Sequence, residues 1–580
     1  MHPGRERKDF CVTLIQTHAP QANDSPEGQC FVSSVDSIAN GPSDPQFFDS
    51  FPANIDGSRQ DLTTQTVKRD HSSRREWFAR TLSSALRPLS RASSAGGMDA
   101  GVGAGLGAGV AACSLLGAAA YAGPPTSSMG DPDPSALITK LIRRITFGVA
   151  PYELNLARAI GYDAYLDLQL TPDLIEDTAC NARLAHLTNL NRIYAEIYQI
   201  GLSSIANELI EGTLLRAIYS RRQLLERVVE FWTDHFNISV EKENCAWLKV
   251  IDDRDVIRAN AMGNFADLLA ASATSPAMLV YLDNHISIAG NPNLNFAREL
   301  MELHTIGVDG GYTEADVVNV ARCFTGWQVY PNNYSYPLAG SFRYNTSQHD
   351  NGAKRVLGHD IPAGGGIQDG LTVLNILANH PSTAKFIATK LCKRFLTYNP
   401  SQSLIRTIAD KFTATNGNMR EVLRTLFSAS HVEAAPPKFK RPFHHFVSAV
   451  RSVGAEVAST SAFRTQLRAT GHLTFYWVSP DGYPDSLEFW SGLVLPRWNF
   501  GGQLMNNSYS GITTDAAGFF AGLTTADPMV DRINATMFGG EMETPDRNRV
   551  RDYLLSNPTA LARQREAIGL AIASPSFQWY

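Results

Sequence analysis

The stretch from Asn293 to Trp327, NLNFARELMELHTIGVDGGYTEADVVNVARCFTGW, decides how the chain is read. Phe296, Leu300 and Leu303 recur at helical spacing, which predicts a helix from Phe296 to about Ile306, with Asn295 as N-cap and Gly307 as its stop. A second helix follows the turn Asp309-Gly310-Gly311-Tyr312-Thr313, with Thr313 as N-cap and Asp316 as its capping-box partner. The spaced carboxylates of a calcium-binding loop are missing from that turn. At about 100° per residue, Glu299 and His304 stand on the two margins of the apolar stripe, where both can turn inward. Glu302 lies four residues after Arg298, the spacing of a helical ion pair. Glu302 and His304 are about 200° apart around the axis, so a regular helix cannot bring both to one metal ion.

The same rhythm continues on either side, in SALITKLIRRITFG, IYAEIYQIGLSSIANELIEGTLLRAIYS, STAKFIATKLCKRFL and NMREVLRTLFSASHV among others, while strand-like alternation is scarce. The expected fold is mainly α: one large multi-helical domain over about residues 135–580. An irregular Tyr/Asn/Gly/Pro-rich insertion at about 330–370 has room for a short hairpin. In SRRQLLERVVEFWTDHFN, the positions Leu224, Val228, Phe231 and His235 share an apolar face, so His235 points at the core and its ring needs a partner. Two readings stand for it. One is a structural hydrogen bond to a carboxylate or carbonyl. In the other, His235, His304 and Glu299 converge on a divalent metal ion or do acid–base work. On the insertion, His349 and Asp350, followed by Gly352 and Lys354, either belong to a solvated loop or touch a substrate and cover the helical site. Lys438, Lys440 and Arg441 read as a solvated helix entrance, and the adjacent His444 and His445 cannot both face one site. Nucleophile-elbow, P-loop and kinase signatures are absent.

A formal net charge of -5 with no long basic run gives no expectation of nucleic acid as a partner. Residues 1–70, rich in Pro, Ser, Asn and Asp, are expected to be disordered or to lie ahead of the true start. Residues 71–123 read as a twin-arginine-type export signal: Arg74-Arg75 precedes a Gly/Ala-rich run, and Ala120-Tyr121-Ala122 supplies an A-x-A cleavage site. Its rivals are a lipoprotein site with the lipid on Cys113, and an uncleaved anchor; membrane contact is expected only through this segment. Alternating glycines from Gly101 to Gly109 mimic a nucleotide loop, but no strand precedes them. Cys180, Cys245, Cys323 and Cys392 lie beyond the signal and either form disulfides or stay as buried thiols.

Taken in order, LIRRITFGVAPYELNLARAIGYDAYLDLQL, FWTDHFNIS, the opening stretch, HDNGAKRVLG, KLCKRF, KFKRPF and SPDGYPDSLEFW resemble the bacterial family "domain of unknown function 1800". The resemblance spans about residues 135–580. It implies an exported, mostly helical protein of the periplasm or a secreted one. It also implies a companion from the family "domain of unknown function 1501", similar to sulfatase and phosphatase folds, and no established reaction. Two readings of different class follow. One is a metal-dependent hydrolase or oxidoreductase of the envelope, with His235, Glu299 and His304 in the site and His349 and Asp350 over it. The other is a non-catalytic binding or scaffold protein working with the companion, its polar motif locking two helices together.

Overall fold

The structure, a computed structural model, describes residues 134–580, and in them the apolar spacing is realised as a succession of helices. The export-signal readings, including the A-x-A site and Cys113, lie outside the described residues. The helices used below are α1 (Pro134–Ile145), α2 (Gln223–His235), α3 (Leu294–Glu302), α4 (Glu314–Cys323), α5 (Ile367–Ala378), α6 (Pro381–Phe395), α7 (Pro442–Val453), α8 (Val494–Met505) and α9 (Leu561–Ala573). No helix among the described residues is long and apolar enough to cross a membrane.

The apolar side chains gather in two large clusters. The first surrounds α2, where Trp232 is fully buried against Phe231, Phe236 and Phe265 and its indole N–H donates to the Ala261 carbonyl at 3.1 Å. The second is built on α7, α8 and α9. There α8 and α9 cross through glycines: a Cβ on Gly501 would stand 2.8 Å from the Gly569 carbonyl oxygen, and one on Gly569 3.2 Å from the Gly502 Cα. A backbone approach this close leaves no space for a side chain.

The opening stretch folds as two helices with a tight link. The expected capping box is present, with the Thr313 hydroxyl accepting from Asp316 N–H while the Asp316 carboxylate accepts from Thr313 N–H. Helix α3 is displaced from its expected bounds. Asn293 caps it, accepting from Phe296 N–H at 2.9 Å, and is itself held by Ser287 and Leu282, so the helix begins before Asn295. It ends at Glu302 because the Glu299 carbonyl takes both Leu303 N–H (2.9 Å) and His304 N–H (3.1 Å), widening the last turn. Gly307, at φ +81°, then returns its N–H to Met301.

The insertion holds two antiparallel ribbons where one hairpin was expected. β1 (Trp327–Val329) pairs with β2 (Phe342–Tyr344), and β3 (Lys354–Val356) with β4 (His359–Ile361). Cys180, Cys245, Cys323 and Cys392 are all free and buried.

The crossing of α8 and α9 yields a stability prediction. Gly569→Leu should lower the unfolding free energy by about 3 kcal/mol through overpacking, whereas Gly502→Ala, with nothing near its Cβ, should cost no more than a few tenths. Equal midpoints in chemical denaturation would contradict the close approach.

Candidate functional site

Helix α2 carries two stripes. Leu224, Val228, Phe231 and His235 form the buried one, as their spacing predicts. The second, Glu226, Glu230 and Asp234, repeats every fourth residue and so lines one side of the helix. Each of these acids meets arginine. Both Glu226 oxygens take Arg258 at 3.0 Å, from a π-helical turn (Asp252–Arg258) whose wider pitch also sets Asp253 against Arg258 at 2.8 Å. Glu230 pairs with Arg227 at 2.7 Å and Arg394 at 2.9 Å. Asp234 pairs with Arg441 at 2.8 Å and Arg394 at 3.2 Å, and Asp485 lies 3.4 Å from Arg394.

The turn Pro480-Asp481-Gly482 sits directly on the end of α2. Gly482 has φ +75°, and a Cβ there would fall 2.0 Å from the Asp234 carbonyl oxygen, so only glycine fits. Asn237 Nδ2 donates to the Trp477 and Ser479 carbonyls at 2.9 and 2.7 Å, pinning the same loop. His472 stands behind it in a cage of Tyr483 and Trp490. Its Nδ1 accepts from Phe443 N–H at 3.1 Å and its Nε2 lies 2.8 Å from the Arg441 guanidinium; both neighbours are donors, so an imidazolium is disfavoured there, and burial pushes its pKa well down. Beside Glu230, Asp234, His472 and Tyr483 lies a cavity of about 30 Å³, room for a water molecule.

The motifs FWTDHFN, KLCKRF, KFKRPF and SPDGYPDSLEFW therefore meet at one hub around Arg394. Lys390 lies one turn before Arg394 on α6. It is half-buried, its Nζ is 5.5 Å from the Phe386 ring centre, and among the described residues it makes no hydrogen bond or ion pair. Burial lowers its amine to about 8, against the opposing pull of Asp234, Asp485 and Asp481.

His235 and His304 are brought together. Their ring centres are 6.0 Å apart, and His235 Nε2–H donates to the His304 carbonyl at 3.1 Å, leaving His235 Nδ1 and His304 Nε2 without partners. Burial, and then the positive charge of Lys390, pushes both pKa values down, His304 to about 3, so both rings are neutral at pH 7. Glu299 is half-buried on α3, and its charge bears on Tyr281, whose hydroxyl donates to the Val478 carbonyl at 2.6 Å. Among the described residues no group of three or more His, Cys, Asp or Glu is placed to hold a metal ion.

His349 and Asp350 have a different set of partners. His349 Nδ1–H donates to the Thr325 carbonyl at 2.8 Å, and Nε2 lies 3.1 Å from Asp369, which also takes Lys354 at 2.6 Å. Asp350 receives Arg322 through both oxygens at 2.7 and 3.2 Å, which holds its carboxyl below the usual range. These contacts fasten the insertion to α4 and α5.

The basic cluster differs from its expected solvated state. Lys438, Lys440 and Arg441 are all buried. Lys438 donates to the Lys393 carbonyl at 2.7 Å and lies 3.4 Å over the Tyr398 ring, and burial lowers its amine to about 7. Lys440 donates to Ser448 at 3.0 Å and lies 3.7 Å over Phe577. The physical reason is a backbone pairing: Lys438 and Tyr580 exchange N–H···O bonds at 2.8 Å, and Lys440 N–H donates to Gln578, so a far segment roofs the lysines. His444 and His445 are both buried as well.

The model of the family described as "Protein of unknown function (DUF1800)" matches residues 140–579. No curated protein and no solved structure matches the chain.

Two outcomes are expected from the hub. Asp234→Asn leaves Arg394 and Arg441 short of an anion and should cost about 3 kcal/mol of unfolding free energy, whereas Asp481→Asn, on an exposed residue, should cost well under 1. The buried histidines make stability depend on acid. Because the folded state lowers the His304 pKa from 6.5 to about 3, its contribution is full above 6.5 and is lost as pH falls through that window. From pH 7 to pH 5 His304 alone should remove about 2 kcal/mol, with His235, His444, His445 and His472 acting in the same direction. Urea midpoints that do not move between pH 7 and 5 would refute neutral burial.

Proposed function

Since the chain belongs to the family described as "Protein of unknown function (DUF1800)", we propose from its geometry that it is an exported, non-catalytic binding protein of the cell envelope. One observation carries this reading: polar residues of the motifs face one another across elements and hold the body rigid. Arg298 pairs with Glu302 at 3.5 Å and Glu314 at 2.6 Å, and Tyr312 bonds Glu302, locking α3 to α4. The hub locks α2, α6 and the 477–485 loop, and Asp350 with Arg322 and His349 with Asp369 lock the insertion. Such a body is suited to presenting a surface.

The surface we assign lies on the SPDGYPDSLEFW segment. Val478 is 71% exposed and Phe489 40% exposed, and the half-buried Trp477 packs edge-on to Phe489 at 5.9 Å between ring centres. Exposed apolar residues beside a pinned loop suit a protein partner. The partner proposed is the sulfatase-like companion, met outside the cytoplasm. Export rests on Arg74-Arg75 and on Ala120-Tyr121-Ala122.

A second reading, an envelope hydrolase or oxidoreductase, draws on the adjacency of His235 and His304, each with one nitrogen lacking a partner.

Coexpression with the companion separates the two. The wild type should capture it, and Val478→Glu/Phe489→Glu should weaken capture at least ten-fold with an unchanged unfolding midpoint. No capture at low salt would remove the binding reading. A divalent ion held stoichiometrically by the wild type and lost in His304→Ala would favour the second.

A further inference from the structure

A cleft of about 320 Å³ is bounded by the helices Pro151–Ile160 and Tyr162–Leu170, the turn Pro172–Leu174 and Arg221. Its walls are the apolar side chains Tyr152, Leu156, Leu168, Leu174 and Ile175, and the fully buried ring of Tyr165 closes it off. Leu174 is 74% exposed and Tyr152 49%, so one side stands open to solvent. The polar groups of the lining are committed, with one exception. Glu153 pairs with the buried Arg451 at 2.9 Å, the Gln169 amide donates to the Arg221 carbonyl at 3.0 Å and accepts from Leu224 N–H at 3.1 Å, and Glu176 accepts from the Thr178 hydroxyl at 2.9 Å. The exception is the exposed Arg221. Its guanidinium makes no hydrogen bond or ion pair among the described residues and stacks 4.2 Å from the centre of the Tyr152 ring. The backbone that carries it is fixed all the same: Arg221 N–H donates to Asp177 at 2.9 Å, and Arg222 Nε donates to the Ile175 carbonyl at 3.0 Å. Mouth and wall are therefore held in place before any ligand arrives.

We propose that this cleft binds an amphiphilic monocarboxylate, its apolar chain against Leu156, Leu168 and Ile175 and its carboxylate on Arg221. A cleft of this size, mostly apolar and with one charged group at its edge, has the build of a small-molecule site, and a chain of about eight carbons fits it. Such a chain also covers Leu174, apolar surface that the fold leaves in water. One face of the guanidinium is taken by Tyr152, and its edge donors remain for a two-point contact with a carboxylate. A cationic head group would meet like charge there, and a neutral one would forgo the charged bond. Glu176 and Asp177 are the acids nearest to the mouth in sequence. Each already accepts hydrogen bonds, Glu176 from Thr178 and Asp177 from Ser220 and the Arg221 N–H, and neither pairs with the Arg221 guanidinium.

The test is calorimetric titration of the folded chain with octanoate, octanol and octylammonium. Octanoate should saturate one site with a Kd below about 1 mM, the other two binding at least ten-fold more weakly. Arg221→Gln should weaken octanoate at least ten-fold and leave octanol unaffected, and Leu174→Glu should weaken both. Both substitutions fall on exposed residues, so the unfolding midpoint should not move. Absence of saturable binding up to about 10 mM octanoate, octylammonium binding as tightly as octanoate, or an unchanged octanoate affinity in Arg221→Gln would each overturn the proposal. Companion capture should be the same in both variants, so the cleft is judged separately from the binding reading.

Discussion

Everything at the centre of this fold depends on one guanidinium. Arg394 is 2% exposed, and taking such a charge out of water costs several kcal/mol. Burial works against the charge, but Glu230, Asp485 and Asp234 more than offset it and hold the guanidinium above its ordinary pKa. Those carboxylates come from α2 and from a loop some 250 residues further along the chain. No local segment can satisfy Arg394 alone, so the hub closes only when distant parts of the chain arrive together. Once closed, its low dielectric penalises every partial arrangement. That is a physical reason for four polar motifs, far apart in sequence, to be adjacent in space.

How much of this was legible depended on range. The apolar face of α2, the capping box at Thr313 and Asp316, and the Arg298–Glu302 pair follow from helical geometry within a few residues, and all three are present. The cap of α3 lies two residues ahead of Asn295 because Ser287 and Leu282, outside the helix, hold Asn293 in place. Lys438 and Lys440 depart from a solvated helix entrance for the same kind of reason. Their solvation is removed by residues 578–580 and Ser448, and no local pattern encodes that roof. The acidic stripe Glu226, Glu230, Asp234 was visible as a four-residue repeat, but its arginine partners are long-range apart from Arg227. The meeting of His235 and His304 could be guessed from two inward-leaning positions, although the backbone carbonyl that receives His235 could not.

The insertion illustrates how polar residues on a long loop serve its anchorage. Asp369 receives Lys354 and lies against His349 Nε2, and the Thr325 carbonyl accepts from His349 Nδ1–H, so the turn between the ribbons is fixed from beneath by buried contacts. The ribbons themselves are too short to be stable alone. Their shape is inherited from α4 and α5, which makes this segment a rigid extension of the helical body.

The four buried cysteines bear on where such a chain can fold. Burial pushes the thiols of Cys180, Cys245, Cys323 and Cys392 up to about 12. At neutral pH roughly one in a hundred thousand is then a thiolate, the form that attacks a disulfide or an oxidant. Nothing in this part of the chain waits on an oxidising compartment to complete its core. The same folded body would keep its integrity on the reducing side of a membrane and on the oxidising side, indifferent to the redox poise of either.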